Sequence, residues 1–136
     1  GTAFRFMIGA FIVSGGIALG LFLLALRTES LEVARSMTTA FLCLESLFLA
    51  YVLRSFRSGL FRKSLFSNPV LNIAVGLSLV LVLASHYVPG LSDALSLVPL
   101  GPEEWTVILL ANAAEALLLD RLKLILFRPR RPLAAA

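Results

Sequence analysis

Glu45 and Glu115 each sit near the middle of a run that is otherwise apolar enough to cross a membrane. An ionisable side chain at that depth is costly, so it is retained for a partner or a task. Around the first, the chain reads Ser36-Met37-Thr38-Thr39-Ala40-Phe41-Leu42-Cys43-Leu44-Glu45-Ser46-Leu47. On a helix, residues seven apart nearly eclipse one another, so Thr38, Glu45 and the adjoining Ser46 make a narrow stripe of oxygen atoms. Oxygens of this kind suit a hard cation, which makes Glu45 the candidate metal ligand. The plainer alternative is a protonated Glu45 hydrogen-bonded to a neighbouring helix. Asn112 and Glu115 stand three residues apart and share a helix face. A hydrogen bond from that face to the Glu45 helix would satisfy both, and Thr38, Asn112 and Glu115 form the expected polar cluster around Glu45. No soluble segment is long enough to bury a core of its own, so no catalytic or cofactor-binding residue is assigned.

The elements that position these groups follow from composition. Of 136 residues, 59% are hydrophobic and 15% charged, and the mean hydropathy is +0.94, which puts the chain in a bilayer rather than among soluble domains. A helix needs about 20 apolar residues to cross the hydrocarbon core. Runs at about 4–26, 36–53, 70–88 and 105–127 approach or exceed that length, the second being short and the fourth charged towards its end. None shows the alternation of a barrel strand, and a lipid-exposed backbone must satisfy its own hydrogen bonds. The predicted fold is therefore all-α: a polytopic membrane protein whose single domain, residues 1–136, is a four-transmembrane-helix bundle.

Charge placement sets the expected orientation. Arg54, Arg57, Arg62 and Lys63 lie between the second and third runs without an acid, and Lys123, Arg128, Arg130 and Arg131 crowd the C-terminal end. By the positive-inside rule both segments face the cytoplasm. Asp93, Glu103 and Glu104 lie between runs three and four without a base, and Arg27 and Arg35 balance Glu29 and Glu32 in the first connection, so both of those face outward. An even number of spans places both termini on the cytoplasmic side. The net charge of +4 is then a topology signal. A nucleic-acid partner is not expected, because the arginines flank spans and lack the interleaved aromatics and polar surface of a binding domain.

Smaller features complete the reading. The chain has no initiator Met and no signal-peptide pattern, so its first run is read as a span and the chain as part of a longer protein. The single cysteine, Cys43, lies within a span and reads as a packing residue. Gly9, Val13, Gly16 and Gly20 share a face of the first run, and the Gly16 to Gly20 step allows close helix packing. Asn68-Pro69 is a helix start, with Asn as cap, and Pro89-Gly90 is a helix stop. His86, next to Tyr87 at the outer interface, is expected to be solvated. Trp105 belongs to the outer aromatic belt. Asp120, Arg121 and Lys123 mark the inner boundary, where long basic side chains can reach the interface.

Phe4-Arg5-Phe6-Met7-Ile8-Gly9, Met37-Thr38-Thr39-Ala40-Phe41, Arg54-Ser55 with Leu65-Phe66, Asn68-Pro69 to Tyr87-Val88-Pro89, Val98-Pro99-Leu100, Trp105, and Asp120 followed three residues later by Lys123 occur in that order along nearly the whole chain. In order, spacing and topology this resembles the C-terminal transmembrane region of P-type cation-transporting ATPases, most closely the calcium-pump branch. The resemblance implies the last four of ten spans and agrees with the charge-derived orientation. It also implies a complete pump that couples ATP hydrolysis, through a phosphorylated aspartate and with Mg, to cation movement in the cell membrane. The partners implied are the remaining helices and cytoplasmic domains of the same pump, the lipid bilayer and the transported cation. The nucleotide chemistry would lie outside this chain, and the chain itself would hold no cofactor.

One position departs from the family pattern. An ungapped alignment places Phe48 where calcium pumps carry a carboxylate or amide in the second of these spans, and Glu45 lies one turn earlier. That offset keeps Glu45 on roughly the same face while moving it about 4 to 5 Å outward, at 1.5 Å per residue. Glu115 is likewise unusual for the family's last span. Two other classes stay open at this stage: a stand-alone, proton-coupled four-helix transporter, and a non-transporting assembly subunit of the membrane.

Overall fold

The computed structural model describes residues 1–53 and 66–127. Five helices run in order: α1 Thr2–Thr28, α2 Leu31–Leu53, α3 Pro69–Tyr87, α4 Pro89–Leu95 and α5 Pro102–Leu126. No strand occurs among the described residues, as expected from the unbroken apolar runs. The basic residues Arg54, Arg57, Arg62, Lys63, Arg128, Arg130 and Arg131, on which the orientation argument leaned, lie outside the described residues.

Two boundaries differ from the sequence reading. The second helix begins five residues before the expected Ser36, at Leu31, because Ser30 Oγ accepts a hydrogen bond from the Val33 amide at 3.3 Å and Glu32 favours the positive end of the helix dipole. The loop expected across residues 27–35 shrinks to Glu29 and Ser30, and the span that looked short is 23 residues long. Asn68 caps α3 as expected, accepting from the Leu71 amide at 3.2 Å. Pro89 ends α3 but also opens α4, since a proline fits the first helical position and needs no N–H there. The short helix closes at Ser96 in the left-handed region, φ 54°, where the Arg35 guanidinium donates to its carbonyl at 2.5 Å.

Three helices, α1, α2 and α3, are long and apolar enough to cross a membrane. The fourth expected span is a helix of 25 residues, long enough at about 38 Å. Yet every stretch of 18 residues within it carries at least three charged side chains. It nevertheless packs closely against both α1 and α2. Buried Ile108, Ala116 and Leu119 of α5 join Ala18, Leu21 and Ala25 of α1 and Ala34, Met37, Ala40, Phe41, Leu44 and Val52 of α2 in two adjoining apolar clusters.

The register of these three helices is fixed at several points. Phe6 and Phe127 meet edge to face with centroids 6.2 Å apart, so the start of α1 lies beside the end of α5. One turn on, a Cβ at Gly9 would stand 2.7 Å from Leu122 Cδ2, so glycine permits the close approach of these antiparallel helices. Gly16 and Gly20, expected to pack, have nothing within 4 Å of where a Cβ would be; their face is open. Helix α3 lies outside this core and antiparallel to α2. It is tied at one end by Tyr51 donating to Asn72 Oδ1 at 2.7 Å and at the other by His86 against the Ser36 carbonyl.

Candidate functional site

At mid-depth, where α1, α2 and α5 meet, an apolar core would be the simplest filling, but polar side chains occupy it. Asn112, Glu115 and Ser14 are all buried, the first two at 0% and 1% exposure. The Ser14 hydroxyl donates to Glu115 Oε1 across the α1–α5 contact. On α2, Glu45 lines the same groove as Ser14. Glu115 Oε2 has no hydrogen-bond partner, and neither has Asn112 Oδ1. The Asn112 amide nitrogen donates to the Ile108 carbonyl at 3.0 Å, one turn back on its own helix.

Glu45 differs from Glu115 in access. It is half-buried and lines an open groove of about 670 Å³ between α1 and α2, together with Phe6, Ala10, Ser14, Leu42 and Leu49. Glu115 lies behind it, closed off by the three helices. The pair thus has one carboxyl facing a groove and one facing the core.

Of the four sequence candidates, Asn112 and Glu115 are buried on α5, and Glu45 lines the groove beside Ser14, the partner of Glu115. Thr38 does not share their bonds: its hydroxyl donates to the Ala34 carbonyl at 2.9 Å, about 10 Å along the helix from Glu45 at 1.5 Å per residue. Ser46 likewise bonds to Leu42 O at 3.1 Å. The stripe of hydroxyl oxygens expected beside Glu45 is therefore satisfied by the α2 backbone. The partner that the sequence reading missed is Ser14. Its signal was present, a hydroxyl in mid-span next to Gly15 and Gly16, but the glycines drew attention to packing.

Two other polar residues sit differently from expectation. Lys123 does not extend to an interface but is buried at 1% exposure. Its ammonium donates to the Val52 carbonyl at 2.6 Å and pairs with Asp120 at 3.0 Å, so it caps the C-terminal end of α2 where the dipole is negative. His86 is not solvated but 1% exposed. Its Nδ1 lies 2.9 Å from Val82 O, its Nε2 3.3 Å from Ser36 O, and its ring meets Trp105 edge to face at 5.7 Å. Trp105 in turn donates from Nε1 to the Tyr87 hydroxyl at 2.6 Å, which donates to Leu100 O at 2.5 Å. This aromatic chain holds the α4–α5 connection against the ends of α2 and α3.

Among the described residues, no group of three or more His, Cys, Asp or Glu side chains is placed to hold a metal ion. Comparison with curated proteins and with solved structures yields no match. The family described as cation transporting ATPase, C-terminus, matches residues 1–125. That match takes in the three apolar helices and nearly all of α5, which makes the chain an integral membrane protein. The chain belongs to the P-type cation-transporting ATPase family, as its C-terminal region.

Proposed function

We propose that the chain is the membrane-support domain of an ATP-driven cation pump of the calcium-pump branch. In this reading α1, α2, α3 and α5 all span the cell membrane, with both termini cytoplasmic. The helices α1, α2 and α5 form a fixed block against which moving helices of the same pump work, and α2 brings one ligand carboxylate, Glu45, to the ion path. The observation that carries the reading is the asymmetry of the carboxyl pair. Glu45 reaches an open groove, whereas Glu115 is sealed behind it. The side-by-side packing of Phe6 and Phe127 supports an even number of crossings between the two ends.

The test is Glu45→Gln in the pump. The substitution keeps the shape and removes the charge, and it is expected to lower cation-stimulated ATP hydrolysis or to shift its cation dependence. Unchanged turnover and apparent cation affinity would leave Glu45 a residue of helix packing alone.

A further inference from the structure

His86 ends α3 in a pocket that offers its ring no hydrogen. The residue is 1% exposed, and each ring nitrogen faces a backbone carbonyl. Nδ1 lies 2.9 Å from Val82 O on its own helix, and Nε2 lies 3.3 Å from Ser36 O on α2. A carbonyl oxygen only accepts, so a nitrogen bonded to it has to carry a proton. The donors around the ring are engaged elsewhere. Ser85 Oγ, 3.1 Å from Nδ1, donates to Val82 O at 2.6 Å. Trp105 Nε1 donates to the Tyr87 hydroxyl, which donates to Leu100 O. A neutral imidazole has one N–H and one lone pair, so it makes one of the two carbonyl bonds and turns its lone pair on the other oxygen. Rotating the Ser85 hydroxyl towards Nδ1 does not remove the conflict, because it strips Val82 O of that hydrogen and leaves two acceptors 2.9 Å apart. Only the doubly protonated ring makes both bonds.

No carboxylate holds that charge in place: among the described residues His86 has no ion pair. On α2 the neighbouring charged groups are Arg35, whose guanidinium donates to Ser96 O, and the exposed Glu32. On α5 they are Glu103 and Glu104 of the first turn, the second with its carboxyl over Gly101. Helix α4 brings the exposed Asp93, and α3 itself the Tyr87 phenol. We infer that His86 is a proton-dependent latch, which fastens α3 to α2 when both ring nitrogens are protonated and loosens when one proton leaves. The bond lost is the one to Ser36, since it is the longer of the two and spans two helices, whereas Val82 is fixed one turn away on α3. The latch is thus closed at low pH and opens as pH rises through the titration of the ring. Ser36 also anchors the connection between α4 and α5, its hydroxyl accepting from the Val98 amide at 3.0 Å. One proton therefore ties α3 to the residue on which that connection rests. The ligand role of Glu45 does not enter, and the direction of insertion decides only which compartment's pH the ring follows.

His86 is the only histidine in the chain, so isotopic labelling of histidine nitrogen reports this ring alone. Solid-state NMR of the labelled chain in lipid bilayers, from about pH 5 to 8, counts the protonated ring nitrogens. Spin labels on the exposed native Cys43 and on Leu79→Cys report the α2–α3 distance over the same range. At the acidic end two N–H signals and a narrow distance distribution are expected. As pH rises, one signal is expected to give way to that of an unprotonated nitrogen, with the distance broadening over the same interval. In His86→Gln, whose amide does not titrate, the width is expected to be constant. A ring that holds a single form throughout overturns the proposal, as does a ring that titrates while the wild-type distance stays narrow. A pH-dependent width that persists in His86→Gln overturns it too, because another group would then be responsible.

Discussion

Helices α3 and α5 are both long enough to cross a bilayer, yet they are built on opposite plans. In α3 the only buried side chain is His86, while Val70, Ile73, Leu77, Val80, Leu81 and Leu83 point outward. In α5 the buried set is Ile108, Asn112, Glu115, Ala116, Leu119, Asp120 and Lys123, more than half of it polar or charged. In water the apolar helix would be the core and the polar one the surface. In lipid, apolar side chains gain little by leaving the hydrocarbon, so helices associate through packing and hydrogen bonds. The polar helix packs against α1 and α2 because its groups need partners there, and the apolar helix can face lipid or another part of the pump.

The sharpest way to break this comparison is to truncate a buried apolar residue of α5. Leu119 is 1% exposed and packs with Val52 and Ala116. Leu119→Ala is expected to destabilise the folded chain by about 2 kcal/mol, the lower end for such truncations, because lipid removes part of the hydrophobic gain. Reversible unfolding in mixed detergent–lipid micelles measures it. A loss no larger than that of an outward residue on α3 would contradict the place of α5 in the core.

The next effect separates attachment from stability. His86 and Tyr51 are the two polar ties of α3 to α2, so His86→Ala is expected to weaken the α2–α3 contact by about 1 kcal/mol, the scale of an interhelical hydrogen bond in a membrane. Its signature is local. The distance between labels on the native Cys43, which is exposed, and on a cysteine placed at Leu79 is expected to broaden, with unfolding of α1, α2 and α5 nearly unchanged. A narrow distance distribution in the variant would mean that Tyr51 and apolar contacts hold α3 by themselves.

The helices were legible from the sequence because length and apolarity alone demand them, and Asn68-Pro69 announced the start of α3 through its side-chain acceptor and missing amide. That Glu115 would need a polar partner was legible from the cost of burying an acid, and Ser14 is that partner. What the sequence did not display is which neighbour each polar group would find. Ser14 meets Glu115 only because α1 and α5 pack antiparallel, with Gly9 beside Leu122. His86 is buried only because Ser36 of α2 and Trp105 of α5 converge on it from far along the chain. Lys123 lies where a lysine can reach water, but the end of α2 offers the Val52 carbonyl instead. Helix α4 was hidden for a local reason: Pro89 both stops one helix and suits the first position of the next.

The smallest expected effect carries the most information about what lies beyond the chain. Leu81 is 66% exposed on α3, so Leu81→Ala in the chain by itself removes contact with lipid alone and is expected to change stability by less than about 0.5 kcal/mol. The same substitution in the assembled pump distinguishes two surroundings. If α3 faces lipid there as well, the effect stays equally small. If another helix of the pump packs on α3, the truncation opens a gap at that contact, and the loss rises towards the value for Leu119→Ala. A difference between the two settings would place α3 at an interface within the pump, and its apolar face would then be a docking surface rather than a lipid-facing one.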